Sequence, residues 1–232
     1  MKIIGISGRK QSGKNTVANY INGDILSHHG MIKEFKINHD GQLEIKTSNS
    51  QGVVGWGIFD VTRKDADFIN YAEKAIWPYV KVYHFADYLK KICIDLFDLT
   101  HDQVYGSDDD KNTMTNYDMT AREFLQYFGT NVMRKIKDAI WVDYTIKNII
   151  AENSLVALVP DVRFPNEIDA IHKAGGIVVR LTRDTYASEH ECEAALDEDK
   201  FHWDKFDLVV DNKNTSIEEL TQLLSIHFNL WR

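Results

Sequence analysis

The chain has 232 residues, 44% of them hydrophobic, and 27 Lys+Arg against 35 Asp+Glu give a net charge of −8. That length and apolar content suffice for one α/β domain with an insertion, and the acidic balance argues against a broad nucleic-acid surface. Cys93 and Cys192 are too few for a disulfide framework, no apolar run reaches the ~18 residues a membrane span needs, and the N-terminus has no signal-peptide pattern. The expectation is a cytoplasmic protein with neither membrane nor nucleic-acid partner.

Lys2 to Ser7 reads as a buried parallel strand, and Val17, Ala18, Ile21 and Ile25 are spaced for one helix face. Between them stands Gly8-Arg9-Lys10-Gln11-Ser12-Gly13-Lys14-Asn15-Thr16, a G-x-x-x-x-G-K phosphate-loop pattern in the strand–loop–helix context it needs. Glycines let backbone N–H groups converge on phosphate oxygens, the helix N-terminus adds positive partial charge, and a lysine reaches the outer phosphates. The Ser or Thr that usually follows the lysine to hold Mg²⁺ is replaced by Asn15, with Thr16 next; an amide oxygen is the weaker ligand.

Beyond the first helix, Ile32 to Ile37 and Gln42 to Thr47 alternate around the turn His39-Asp40-Gly41, and Gly52 to Phe59 keeps the β character. Residues 28–63 are therefore expected to be a small antiparallel insertion. Its apolar contacts Trp56, Ile58 and Phe59 pack either on the acceptor side of a cleft or against a second copy in a homodimer, and the segment's lack of an arginine cluster favours the second copy. A helix follows from Asp65 to about Trp77, then a strand from Val80 to Phe85, then helical spacing through Leu89, Ile92, Cys93, Leu96 and Phe97. Cys93 reads as a small core residue and Asp108-Asp109-Asp110 as a solvated acidic loop.

Thr120-Ala121-Arg122-Glu123 is a capping box opening a helix through Phe128, which Gly129-Thr130 breaks before a second helix bearing Arg134. Arg122 and Arg134 either converge on one anion or are unrelated surface groups; spacing alone does not decide. Leu155 to Val159 is a strand ending in Pro160-Asp161-Val162-Arg163, where open α/β sheets bind ligands, so Asp161 can meet magnesium-bound water and Arg163 phosphate. A helix from Ile168 to Ala174, a strand from Ile177 to Leu181 and a short strand Leu208 to Val210 follow, before a helix capped at Ser216. Residues 184–205, polar and acidic, suit a mobile lid; His190, Cys192 and His202 within them lack the spacing of a zinc site.

On Gly8-x-x-x-x-Gly13-Lys14-x-Thr16, Arg122-Glu123-Phe124-Leu125-Gln126-x-x-Gly129-Thr130-x-x-x-Arg134, Trp141, Asp161-Val162-Arg163-Phe164-Pro165-Asn166-Glu167 and Asp207 to Asn212, the chain resembles the P-loop nucleoside monophosphate kinases. Within them it is most similar to the deoxynucleoside monophosphate kinases of tailed bacteriophages. The resemblance implies a single kinase domain over 1–232, built as an α/β parallel sheet flanked by helices. It carries the β-rich insertion at about 28–63, an acceptor-binding helical region at about 86–150 and a lid at about 184–205. It implies transfer of the γ-phosphoryl of ATP, with Mg²⁺, to a (deoxy)nucleoside monophosphate. Gly8, Gln11, Ser12, Gly13, Lys14, Asn15, Thr16 and Asn212 would hold the donor. Arg122, Gln126, Arg134 and Trp141 would hold the acceptor. Lys14, Arg134, Asp161, Arg163 and Arg183 would serve catalysis, and Asn15, Thr16 and Asp161 the metal. The lid departs from the family habit, with only Arg183 near it where several arginines are common. The competing readings are a P-loop kinase for another small acceptor such as dephospho-coenzyme A, a regulatory NTPase that hydrolyses without an acceptor, and a nucleotide-binding module without turnover.

Overall fold

The computed structural model describes residues 1–48, 51–184 and 194–229, and the chain forms two compact units, Met1–Tyr83 with Ile149–Arg232 and His84–Asn148. In the first unit, β1 (Lys2–Ser7) buries all but its first residue, and α1 (Lys14–His28) follows the glycine loop, burying Val17, Ala18, Ile21 and Leu26. The insertion is a three-stranded antiparallel sheet, β2 (Phe35–Ile37), β3 (Leu43–Ser48) and β4 (Val54–Ile58), in that order. Its first turn is closed by Asn38, whose Oδ1 accepts from the N–H groups of Asp40 and Gln42, with Gly41 at φ 77° supplying the left-handed residue. Next come α2 (Ala66–Ala75), capped by the Asp65 side chain on Phe68 N–H, and β5 (Val80–Val82).

The second unit is helical: α3 (Asp87–Phe97), α4 (His101–Tyr105), α5 (Asp108–Lys111), α6 (Ala121–Gln126) and the first part of α7 (Ile140–Glu152), which runs on into the first unit. β6 (Val156–Val162), α8 (Pro165–Lys173), β7 (Ile177–Leu181), β8 (Leu208–Val210) and α9 (Ile217–Asn229) complete the first unit.

The five core strands are parallel in the order β5-β6-β1-β7-β8. β1 thus lies in the middle with connections leaving to opposite sides, and the crevice outside its carboxyl end is where an open sheet takes a ligand. Ile4, Ile6, Val17, Ile21, Leu158, Val179, Leu181 and Leu224 form the apolar core behind it. Two glycines mark close approaches. A Cβ on Gly176 would stand 2.8 Å from the backbone oxygen of Ile3, and one on Gly23 would overlap the Phe35 ring and so prevent the insertion from lying on α1.

Several elements differ from expectation for local reasons. β6 does not stop at Pro160 but runs to Val162, because the parallel register with β1 resumes after an irregularity between Gly5 and Ser7. Asp161 therefore belongs to the strand. α8 begins at Pro165, well before Ile168, since a proline needs no N–H donor at a first helical position and Glu167 Oε2 accepts from the N–H groups of Arg163 and Phe164. Gly129-Thr130 does not break the helix: residues Tyr127–Arg134 continue α6 as a π-helix, the widened turn giving Gly129 close passage to Leu89. The acidic run 108–110 is not a loop but α5, with Asp110 and Ser107 forming a capping box. Much of the expected lid, residues 185–193 with His190 and Cys192, lies outside the described residues. In its remainder Leu196 is buried and Trp203 Nε1 donates to Leu196 O at 2.9 Å, while Glu198, Asp199 and Lys200 are exposed.

Candidate nucleotide site

The loop after β1 turns on unusual backbone: Gln11 has φ 62° and Gly13, at the head of α1, φ 97°. For a non-glycine residue the left-handed region costs roughly 1–2 kcal/mol, so Gln11 holds strain that the surrounding loop must enforce. A Cβ on Gly8 would overlap Ser12 Oγ, so glycine is required there for space. Ser12 is fully buried and its hydroxyl has no hydrogen-bond partner among the described residues, an orphaned polar group beneath a glycine loop. Lys14 Nζ donates to the carbonyl oxygens of Gly8 and Arg9, both at 2.7 Å, which folds the ammonium over the loop.

Asn212, just past β8, is fully buried and staples this loop from below: its Nδ2 donates to Ser12 O at 2.8 Å and its Oδ1 accepts from Arg183 N–H. Arg183 in turn spends its guanidinium on backbone, with Nε donating to Asn212 O at 3.0 Å and Nη2 to Thr215 O at 2.6 Å. The carboxyl ends of β1, β6, β7 and β8 thereby gather Gly8 to Thr16, Asp161, Arg163, Arg183 and Asn212 on one edge of the sheet. Asn15 is exposed on the first turn of α1. Thr16 points elsewhere, its hydroxyl lying against Gly41 of the insertion's turn.

The remaining site candidates belong to the helical unit. Arg122 on α6 is held by Asp108 Oδ1 (2.7 Å from Nη2) and Asn112 Oδ1 (3.1 Å from Nε). Arg134 ends the π-helix with most of its side chain covered and its Nη1 3.9 Å from Asp138 Oδ1. Gln126 is exposed at the end of α6. Trp141 is buried, and its indole donates to Gly129 O at 3.1 Å, so it fixes the shape of the π-helix from inside. Behind these residues Phe97, Tyr117, Phe124 and Phe128 form an aromatic cluster. Cys93, on α3, is fully buried, and burial pushes its thiol up to about 12, which leaves it protonated and inert.

Reading the sequence missed one group. Arg180, on β7, is almost completely buried, donates from Nη1 to Ser7 Oγ at 3.1 Å and stands 5.2 Å from the Trp203 ring. Arg9, within the glycine loop, forks onto Asp197, with Nε to Oδ1 at 3.1 Å and Nη2 to Oδ2 at 2.6 Å. The only sequence signal was Arg180 itself, a charge inside an apolar strand run.

A sequence profile described as deoxynucleotide monophosphate kinase matches residues 2–224. The chain belongs to the deoxynucleotide monophosphate kinase family. A protein of Acanthamoeba polyphaga mimivirus, provisionally named a deoxynucleotide monophosphate kinase, is 33% identical over 158 residues, which cover 61% of this chain and 79% of that one. The family makes the chain a phosphotransferase that acts on nucleoside monophosphates, in line with the resemblance, and neither the dephospho-coenzyme A reading nor the regulatory NTPase reading is favoured. Among the described residues, no helix is long and apolar enough to cross a membrane, and no cluster of His, Cys, Asp or Glu forms a metal site of its own.

Proposed function

We propose that the chain moves the γ-phosphoryl group of ATP to a deoxynucleoside monophosphate, with the donor on the glycine loop and the acceptor on the α6–π-helix segment. The observation that carries the donor half is Ser12. A fully buried hydroxyl without a partner among the described residues, beside a glycine that admits no side chain, is the arrangement a phosphate oxygen completes. Lys14 would leave the carbonyl oxygens of Gly8 and Arg9 for the transferring phosphate, a short reorientation of a flexible chain. Asn212 and Arg183 act on this reading as the frame that keeps the loop open, since their donors end on backbone oxygens.

The family implies magnesium, and the oxygen donors of Asn15 and Asp161 fit it: Mg²⁺ takes one or two protein oxygens and keeps the rest of its shell for phosphates and water. When bound, it neutralises phosphate charge. The Thr16 hydroxyl, turned to Gly41, is the poorer candidate ligand. Arg134, covered yet ending an irregular helix, suits the acceptor phosphate; Arg122, at the opposite end of the same helical run and held by Asp108 and Asn112, would be a separate contact to the acceptor, with Gln126 towards the base, and Arg163 would meet phosphate at the strand end. Phosphoryl transfer asks for position and charge compensation, and no nucleophile is needed.

The exposed apolar face of β4, with Val54, Trp56 and Ile58 on one side of an outer strand, supports a homodimer as the working assembly. Diphosphate formation across all common ribo- and deoxyribonucleoside monophosphates with Mg–ATP tests the central reading. Turnover restricted to deoxynucleotides is expected, and ATP hydrolysis indifferent to any monophosphate would sink it.

A further inference from the structure

The glycine loop carries Arg9 and Lys10 besides Lys14, and Arg9 is committed elsewhere. Arg9 makes a two-point contact with Asp197 and a weaker one with Asp184, 3.4 Å from Nη1 to Oδ2. A planar fork on two carboxylate oxygens is the geometry in which arginine also takes phosphate. Asp197 is shared. Arg180 Nη2 reaches its Oδ1 only at 3.4 Å, while Arg180 Nε is buried with no partner among the described residues. So one carboxylate serves two guanidinium groups, one well and one poorly. The buried one is the under-satisfied one, and burial accordingly pushes Arg180 below the usual arginine value, against the pull of Asp197.

That imbalance makes a second arrangement available. If Arg9 turned to an anion on the loop, Asp197 would not be left uncompensated, because Arg180 lies within reach of it with one donor unused among the described residues. We propose that Arg9 is a ligand of the donor's phosphates, held in reserve by Asp197, and that nucleotide binding passes Asp197 from Arg9 to Arg180. This rests on the donor being bound at the glycine loop. The carboxylate is a competitor for Arg9, so its removal strengthens nucleotide binding, whereas a carboxylate that merely shaped the loop would weaken binding when removed.

Calorimetric titration of ATP into the wild type, Arg9→Met, Asp197→Asn and the double variant separates the two, with circular dichroism reporting the fold. Arg9→Met is expected to weaken ATP about tenfold and to leave monophosphate affinity unchanged, and Asp197→Asn to tighten ATP severalfold. The gain from Asp197→Asn should vanish in the Arg9→Met background. Unchanged ATP affinity in Arg9→Met, or weaker ATP binding in a folded Asp197→Asn, overturns the proposal. Should Asp197→Asn fail to fold, Arg9→Lys decides: a point charge still meets phosphate but cannot fork onto the carboxylate. Affinity close to the wild type supports the exchange, and a loss equal to that in Arg9→Met refutes it. A wild type that binds no ATP would instead sink the donor site itself.

Discussion

Lys14 is aimed by the loop that bears it, its ammonium resting on the carbonyl oxygens of Gly8 and Arg9. Replacing it with Met removes a preorganised cation from developing charge, an effect of about 3 kcal/mol, or a loss of over a hundredfold in turnover. A folded Lys14→Met protein with near-normal kcat would refute the role. Ser12 gives a test with two signs. Its hydroxyl is buried and has no partner among the described residues, so Ser12→Ala should leave the melting temperature of the free protein unchanged or raised, yet weaken ATP. Lower stability without nucleotide, or undiminished ATP binding, would show that the hydroxyl serves the fold or nothing. The glycine loop between β1 and α1 was legible because its signals are local: glycine, lysine and helix start are fixed by spacing. Arg9 with Asp197 was not, because the partners stand 188 residues apart and nothing in either neighbourhood names the other.

Among the elements, α6 and its π-helical continuation hold the acceptor candidates, and their shape depends on Trp141. The indole donates to Gly129 O inside the unit, so Trp141→Phe keeps the ring packing and leaves a buried carbonyl short of a donor. A loss of about 1–2 kcal/mol in stability is expected, together with a raised KM for the monophosphate and an unchanged KM for ATP. If both KM values rise equally, the π-helix does not serve the acceptor. Arg134→Ala should act on the same KM without the stability cost, by about 2 kcal/mol of lost charge-assisted contact. Equal losses for donor and acceptor would remove Arg134 from the acceptor side. The sequence showed that something interrupts regular helix at Gly129, but not that the interruption is an expansion. A glycine permits a break and a widened turn alike, and only the packing of Leu89 and Trp141 around it selects between them.

At the scale of the whole molecule, the parallel sheet follows from alternating strand and helix patterns, and the insertion from a clean hairpin signal, so both were readable from the chain. What could not be read was the surface on which the insertion lies. It packs on α1 through Phe35 against Gly23 and Tyr20, Leu43 is buried, and Asn19 Nδ2 donates to Gly41 O at 2.9 Å. These contacts anchor one face of the small sheet, while Val54, Trp56 and Ile58 remain exposed on β4 with Lys36 over the Trp56 ring. The two faces can be separated by mutation. Gly23→Val would force a branched side chain into the Phe35 ring, an overpacking cost of about 1–3 kcal/mol, and should lower the melting temperature. Ile58→Lys touches only the exposed face and should leave the melting temperature of a monomer unchanged. If β4 joins two copies, Ile58→Lys places like charges across a two-fold axis and converts the dimer to a monomer in light scattering. A wild-type protein that is already monomeric at the highest attainable concentration would end the dimer reading and leave the insertion as a brace on α1 behind the phosphate loop.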